Sequence, residues 1–348
     1  MNIELLERLT QAPGIASRED QVRAIVIEAL TPLVDTVTVD ALGNVVGRVG
    51  STGPVVMLCA HMDEIGFLVR FVDDRGFVRL QPVGGFDPRV LPAQRVVIHT
   101  RSGEPVPGVL QFGAKPVHLQ TPDDRKDLKI EDLFVDIGMD AETARSTITI
   151  GDMVTLERPF QVIGDTVVSK SLDDRLGVYV MLEAIRAATP AHARIVAVAS
   201  TQEEVGLRGA TTAAFSISPD IAIGLDVTIA ADIPGMSPEM AVSSLRSGTA
   251  IKLFDSSMLS NPLLVEHLRD LAERHGIPYQ LEVLPRGGND AGAMQQSRAG
   301  AAACTISIPT RYVHSVNEMA SQQDIEASVT LLARFIEEAG TRSYTHGQ

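Results

Sequence analysis

The feature that most constrains this chain is a set of four short, mostly apolar runs, each closely followed by acids or a histidine. Residues 55–60 lead into His61-Met62-Asp63-Glu64, and residues 194–199 into Glu203-Glu204. Residues 221–225 end at Asp226, and residues 303–308 precede Tyr312-Val313-His314-Ser315. The runs are rich in β-formers and nearly continuous rather than alternating, which suits strands buried on both faces of an α/β sheet. Helical spacing appears before, between and after them. Val22, Ile25, Val26, Ala29 and Leu30 form one stripe, and Leu176, Val180, Ala184 and Ala187 another. Leu264, Leu268 and Leu271 follow Pro262 at a helix start, and Ile325, Val329, Leu332 and Phe335 mark the last helix. Ser17-x-x-Asp20 and Ser321-x-x-Asp324 read as capping patterns, and Gly43-Asn44 as a hairpin turn.

Between about residues 66 and 168 the texture changes. Short β-like pieces at 67–72, 77–82, 94–99 and 153–156 are punctuated by Gly76, Gly84-Gly85, Pro88, Pro92, Pro105 and Pro107-Gly108. Helical periodicity is scarce, so this reads as a small β-rich insert, with a polar loop at 121–131. The expected fold is α/β: a three-layer α/β/α catalytic domain with a mixed sheet, residues 1–66 and 166–348. A barrel-like β-rich domain, residues 67–165, interrupts it.

Thirty Lys plus Arg against 44 Asp plus Glu leave a formal charge of −14, which argues against a nucleic-acid or anionic-membrane surface. Two cysteines, Cys59 and Cys304, are too few for a disulfide scaffold or a Cys-rich zinc module. The first residues lack the basic and apolar regions of a signal peptide, and no stretch approaches transmembrane length. A cytoplasmic protein is expected.

Taken singly, each acidic or histidine motif is bland. An Asp before a helix is an ordinary cap, and paired acids in a loop are usually solvated. The set is more telling. Ligands bind at the carboxyl ends of strands in open α/β sheets, and there two His and several carboxylates can converge. These are ligands for Zn²⁺, Co²⁺ or Mn²⁺, and a shared carboxylate can bridge two ions.

The stretches CAHMDEIGFLV, SKSLDDRLGV, TQEEVGLRGA, GLDVT, RGGNDAGA and RYVHS resemble those of the tetrahedral, dodecameric di-metal aminopeptidases. That family includes glutamyl, leucyl, lysyl and deblocking enzymes, and some members carry an endoglucanase label. The resemblance implies that His61 and Asp226 hold one metal, Glu204 and His314 the other, and that Asp173 bridges them. It implies Glu203 as general base and Asp63 as the residue orienting His61. The choice of Glu203 over Glu204, and of Asp173 over Asp174, rests on the family pattern; spacing leaves both open. A metal-bridging hydroxide would attack the scissile carbonyl, releasing N-terminal residues from short peptides. The insert would serve dimerisation, and dimers would build a dodecamer.

Gly287, Gly288, Asn289 and Asp290 fall near the expected substrate pocket. Asn289 stands where the family usually has Thr, and Ser315-Val316-Asn317-Glu318 where Ser-Pro-Val-Glu is usual. Two other functions compete. A related di-metal carboxypeptidase or amidohydrolase would bind a substrate carboxylate instead of an amine. A non-catalytic metal-binding scaffold would keep the ligands without turnover.

Overall fold

The computed structural model describes residues 1–113, 117–119 and 128–345. Part of the polar loop expected at 121–131, residues 121–127, therefore lies outside the described residues. The chain divides into two compact units: Met1–Glu64, Phe160–Val313 and Asn317–Gln348 in one, Ile65–Pro159 and His314–Val316 in the other.

The first unit opens with helices α1 (Ile3–Gln11) and α2 (Asp20–Leu30), strands β1 (Thr36–Val39) and β2 (Val45–Val49), and β3 (Val55–His61). The second unit holds β4 (Gly66–Val72), β5 (Val78–Val83), β6 (Arg95–His99), β7 (Pro105–Phe112), β8 (Leu133–Asp136), helix α3 (Ala141–Thr147) and β9 (Met153–Glu157). The first then resumes with β10 (Gln161–Ile163), β11 (Thr166–Ser169), α4 (Leu172–Ala187), β12 (Arg194–Ser200), α5 (Arg208–Ile217) and β13 (Ile221–Ile229). It continues through β14 (Thr249–Phe254), α6 (Pro262–His275), β15 (Tyr279–Val283), α7 (Asp290–Gln295), β16 (Ala302–Arg311), β17 (Glu318–Ser321) and α8 (Gln322–Glu338).

The sheet of the first unit runs β1-β2-β12-β3-β13-β16-β17-β11-β10, with β14 and β15 branching from β16. Its centre is parallel: β12 with β3, β3 with β13, and β13 with β16. Its flanks are antiparallel, as β2 is to β12 and β17 to β16. Strand period two separates the faces. Val56, Leu58, Ala60, Ile223 and Leu225 pack with residues of α1, α4, α6 and α8. Met57, Cys59, Val196 and Val198 pack with Ala210, Ala213 and Ala214 of α5 and Met294 of α7. Three layers result, and each Leu or Ile so buried contributes about 1.5–3 kcal/mol. Helix α4 is buried on almost every side, from Leu172 to Ile185, as its near-continuous apolar sequence requires.

The second unit closes β4-β5-β8-β7-β6-β9 into a barrel. Phe67, Val69, Val78, Leu80, Val96, Ile98, Leu110, Val135 and Val154 fill it. Closure removes exposed strand edges. Strand β7 was masked in the sequence by its prolines and glycine, yet Val106, Gly108 and Leu110 alternate inward while Pro105, Pro107 and Val109 face out.

Both capping patterns differ from expectation. Glu19, not Ser17, occupies the N-cap of α2, and Ser17 instead donates its amide to the Glu19 carboxylate at 2.8 Å. Ser321 makes no side-chain cap on α8, and Asp324 accepts the Arg246 and Gly248 amides at 2.7 and 2.8 Å. Among the described residues, no helix is long and apolar enough to cross a membrane.

Candidate metal centre and active site

At the carboxyl ends of the parallel strands β3 and β12 stand His61, the last residue of β3, and the Thr201–Glu204 turn after β12, while Asp226 lies within β13, which runs on to Ile229. The start of α4 brings Asp173 and Asp174 to the same place. Its first residues are not regular helix: Ser171 has φ 58°, Asp173 and Asp174 have non-helical dihedrals, and the Asp173–Asp174 peptide is cis. Gln202, immediately before the acid pair, also has positive φ, at 58°. Left-handed backbone at non-glycine residues costs energy and gathers at functional sites.

His61 Nε2 lies 3.0 Å from Asp173 Oδ1 and 4.0 Å from Glu203 Oε2. The His61 amide donates to Asp174 Oδ2 at 3.2 Å, and Asp174 Oδ1 accepts the Gly177 amide at 3.0 Å. A Cβ at residue 177 would stand 2.4 Å from that oxygen, so only glycine lets the turn close this tightly.

Asp63 is fully buried, and its two oxygens accept consecutive amides, Glu203 at 2.9 Å and Glu204 at 3.1 Å. It clamps the turn that carries both glutamates. His61 is oriented by the Asp63 backbone carbonyl, 2.9 Å from Nδ1, while the Asp63 carboxylate is 3.5 Å from that nitrogen. Both the main chain and the carboxylate of Asp63 thus face His61 Nδ1, the main chain at the shorter distance. Asn44 braces the same turn, accepting the Thr201 amide at 3.0 Å and donating to the Gly209 carbonyl at 3.1 Å.

Two donor groups meet within the sheet unit. One atom each from His61, Asp173 and Asp226 lie within 4.8 Å of one another, and so do atoms of His61, Glu203 and Glu204. Burial pushes the Asp174, Asp226 and Glu203 carboxyls well above the usual range, and neighbouring acids add to the rise. Burial would depress the His61 imidazolium, but Asp173, Asp63 and Glu203 outweigh it and push its pKa well up. So many carboxylates in a dry pocket cannot all be charged on their own. Histidine and carboxylate donors at this spacing fit divalent first-row cations, which would remove that conflict.

His314 sits in residues 314–316, which pack with the barrel unit; there a Cβ on Gly85 would approach its Nδ1 to 3.6 Å. Of the expected substrate residues, Gly287 and Gly288 are exposed, whereas Asn289 and Asp290 are buried. Asn289 donates to Asp255 at 2.8 Å, accepts from Thr305 at 3.1 Å and caps α7. Asp290 Oδ2 accepts the Ser200 hydroxyl and lies 3.3 Å from Cys59 Sγ, while Oδ1 is buried without a hydrogen bond.

Sequence reasoning missed a second charged layer. Arg175, read only as a charge beside two acids, is fully buried. Its guanidinium donates to the carbonyls of Met62, Leu9, Ala12 and Gly14. Glu64 accepts from Lys170 Nζ and Ser171 Oγ at 2.6 Å each, and from the Gly14 amide at 3.0 Å. One signal was available: Glu64 and Lys170 directly adjoin the two motifs, where solvated charges would be unusual beside apolar strands.

Comparison with known proteins matches this arrangement to one family. The model of the M42 glutamyl aminopeptidases matches residues 43–331. The lysyl aminopeptidase of Pyrococcus furiosus is 34% identical over 349 residues, spanning 98% of this chain and 99% of its own. An aminopeptidase structure from the archaeon Desulfurococcus kamchatkensis matches with a TM-score of 0.92 at 39% identity, covering 97% of this chain and 94% of that one. The TET1 peptidase of Pyrococcus horikoshii, described as assembling into a tetrahedron or a large octahedral shell, matches with a TM-score of 0.87 at 32% identity. That match covers 97% of this chain and 99% of the other. The chain belongs to the M42 glutamyl aminopeptidase family, and it is a peptidase.

Proposed function

We propose that this protein is a di-metal aminopeptidase that removes N-terminal residues from short peptides. The observation that carries the reading is the buried acid cluster at the strand ends, with Asp63 clamping the Glu203–Glu204 turn against it. In this reading His61 and Asp226 hold one divalent ion, Glu204 and His314 the second, and Asp173 is shared. Zinc or cobalt is the expected metal, with manganese third. Bound there, two such ions supply Lewis acidity that polarises a peptide carbonyl and lowers the pKa of water.

The chain's own residues do the rest. Glu203 is 12% exposed and is not needed as a ligand, so it is free to act as the base. It takes a proton from the attacking water as the new C–O bond forms. It then returns the proton to the leaving nitrogen as the C–N bond breaks. Asp63 keeps Glu203 in place by holding its amide rather than its side chain. Asp173 keeps His61 Nε2 turned towards the shared position.

We further assign catalysis to the sheet unit, expected at residues 1–66 and 166–348, and dimerisation to the barrel insert, expected at 67–165. Phe71, Val109 and Ile150 of the barrel are exposed apolar residues of the kind buried by self-association. Dimers of this chain would build a dodecamer, in keeping with the Pyrococcus horikoshii TET1 peptidase described as assembling into a tetrahedron or a large octahedral shell.

The deciding experiment offers metal-loaded protein one peptide in free, N-acetylated and C-amidated forms. An aminopeptidase cleaves the free and amidated forms and spares the acetylated one. Loss on amidation instead would assign a carboxypeptidase, and no cleavage of any form would leave a scaffold.

A further inference from the structure

We infer that Glu318 is a positioning residue for the metal centre: its buried carboxylate fixes the backbone amide of Asp173 and thereby the carboxylate that two ions would share. The inference rests on the di-metal reading above.

Glu318 opens β17, is 2% exposed, and stands opposite Ser169, the last residue of β11, in antiparallel register. From Ser169 the chain needs only four further residues to reach Asp173. Across that short bend Glu318 Oε2 accepts the Asp173 amide at 3.0 Å. The bond answers a local need. The first amides of a helix have no carbonyl within the helix, and an N-cap side chain normally accepts one of them. Ser171 holds the N-cap position of α4 but makes no side-chain cap: its hydroxyl donates to Glu64 at 2.6 Å and its oxygen accepts from Lys170 Nζ at 3.3 Å. A strand distant in sequence therefore supplies the acceptor.

The consequence reaches the site through one residue. The Asp173 side chain meets His61 Nε2 at 3.0 Å and belongs to the His61–Asp173–Asp226 donor group. With Asp173 and Asp174 outside helical dihedrals, the α-helical ladder does not hold this backbone. Glu318 does. Groups that orient ligands from behind typically cost ~10–100-fold in metal affinity when removed.

The same carboxylate also faces the ammonium of Lys170 electrostatically. Position and charge can be separated by two variants. Glu318→Gln keeps an acceptor oxygen at the same reach without charge; Glu318→Asp keeps the charge but falls one methylene short of the amide. Metal-free wild type, E318A, E318Q and E318D are titrated with Co²⁺ by calorimetry, and their denaturant midpoints are measured without metal.

The expected result is two sites in wild type, near-wild-type affinity in E318Q, and a loss of at least ~10-fold in E318D and E318A. In the loaded enzymes kcat should fall more than KM changes. Wild-type affinity in E318A overturns the inference, as does an order in which Asp retains affinity and Gln loses it. If E318A does not fold, the Gln–Asp order alone decides. If wild type itself takes up fewer than two ions, the di-metal reading has failed, and the inference falls with it.

Discussion

Two buried charged regions lie side by side in the sheet unit, and they treat their acids in opposite ways. Around Glu64 the chain supplies its own cations: Lys170 at 2.6 Å and Arg175 at 3.7 Å. Burial would raise the Glu64 carboxyl, but these two charges overcome it and hold it below the ordinary range. At the strand ends His61 is the nearest basic group, and Asp174, Asp226 and Glu203 are all pushed well up. A folded chain can neutralise a buried acid with a lysine or an arginine, and this one does so one residue away from Ser171. In the neighbouring cluster the pull of Lys252 on Asp226 leaves that carboxyl well up, and outside cations would complete the compensation.

The largest test of that contrast is chemical. Glu203→Gln should lower kcat by about 10²–10⁴-fold while metal content, measured by elemental analysis, stays at the wild-type level. Loss of metal together with activity would place Glu203 among the ligands and blur the distinction between base and donor.

Next comes stability on the compensated side. Glu64→Gln leaves Lys170 buried beside a neutral amide, so unfolding free energy in urea should fall by about 3–5 kcal/mol. An unchanged midpoint would mean that Lys170 had found water.

The equivalent change in the uncompensated cluster should have the opposite sign. In metal-free protein Asp226→Asn removes one of several repelling buried acids and should raise stability at neutral pH. Each unit by which a folded carboxyl stands above its unfolded value is worth about 1.4 kcal/mol there. The same variant should lose the gain that metal gives wild type, about 2.7 kcal/mol at a hundredfold excess over Kd. Scanning calorimetry with and without Co²⁺ reads both.

The smallest effect marks the boundary of the comparison, at a charge outside both regions. Glu338 is about one third exposed, at 32%, and its hydrogen bond with Arg274 holds its pKa down at about 2 from 4.5. A depressed carboxyl stabilises above its unfolded pKa, and that contribution disappears as pH falls from 4.5 through about 2. Glu338→Gln should flatten the acid limb of the stability profile slightly and change nothing at the proposed metal centre, since solvent screens such pairs.

Much of this was readable from residue types. The runs at 55–60, 194–199 and 221–225 are central strands because nothing else buries such stretches on both sides, and their polar successors stand where sheet ends put them. The barrel was read as β-rich, but β7 was lost among its prolines and β8 was overlooked, as was β14 in the sheet unit. The acids and the histidine that gather at the strand ends, His61, Asp173, Glu203, Glu204 and Asp226, were legible as identities. Their roles were less so. No pattern says that the Asp63 carboxylate would hold two amides and leave its carbonyl for His61, or that Arg175 would face four carbonyls. Those depend on backbone turns around Ser171 and Gln202 that adopt positive φ without a glycine to announce them. The capping motifs misled for a related reason: Ser17 and Asp324 found stronger partners in tertiary structure than their local helices offered.

The double grip of Asp63 also bears on how the site can vary. One side chain sets the backbone of both Glu203, the proposed base, and Glu204, the proposed ligand, so their placements form a single degree of freedom. Adjusting Glu203 alone by reshaping its loop would drag Glu204 with it. Lesions at Asp63 and at Glu203 should therefore combine far less than additively in a double-mutant cycle, each having already spent the other's effect. Change in this enzyme is channelled to residues outside the clamp, where one contact can be altered at a time.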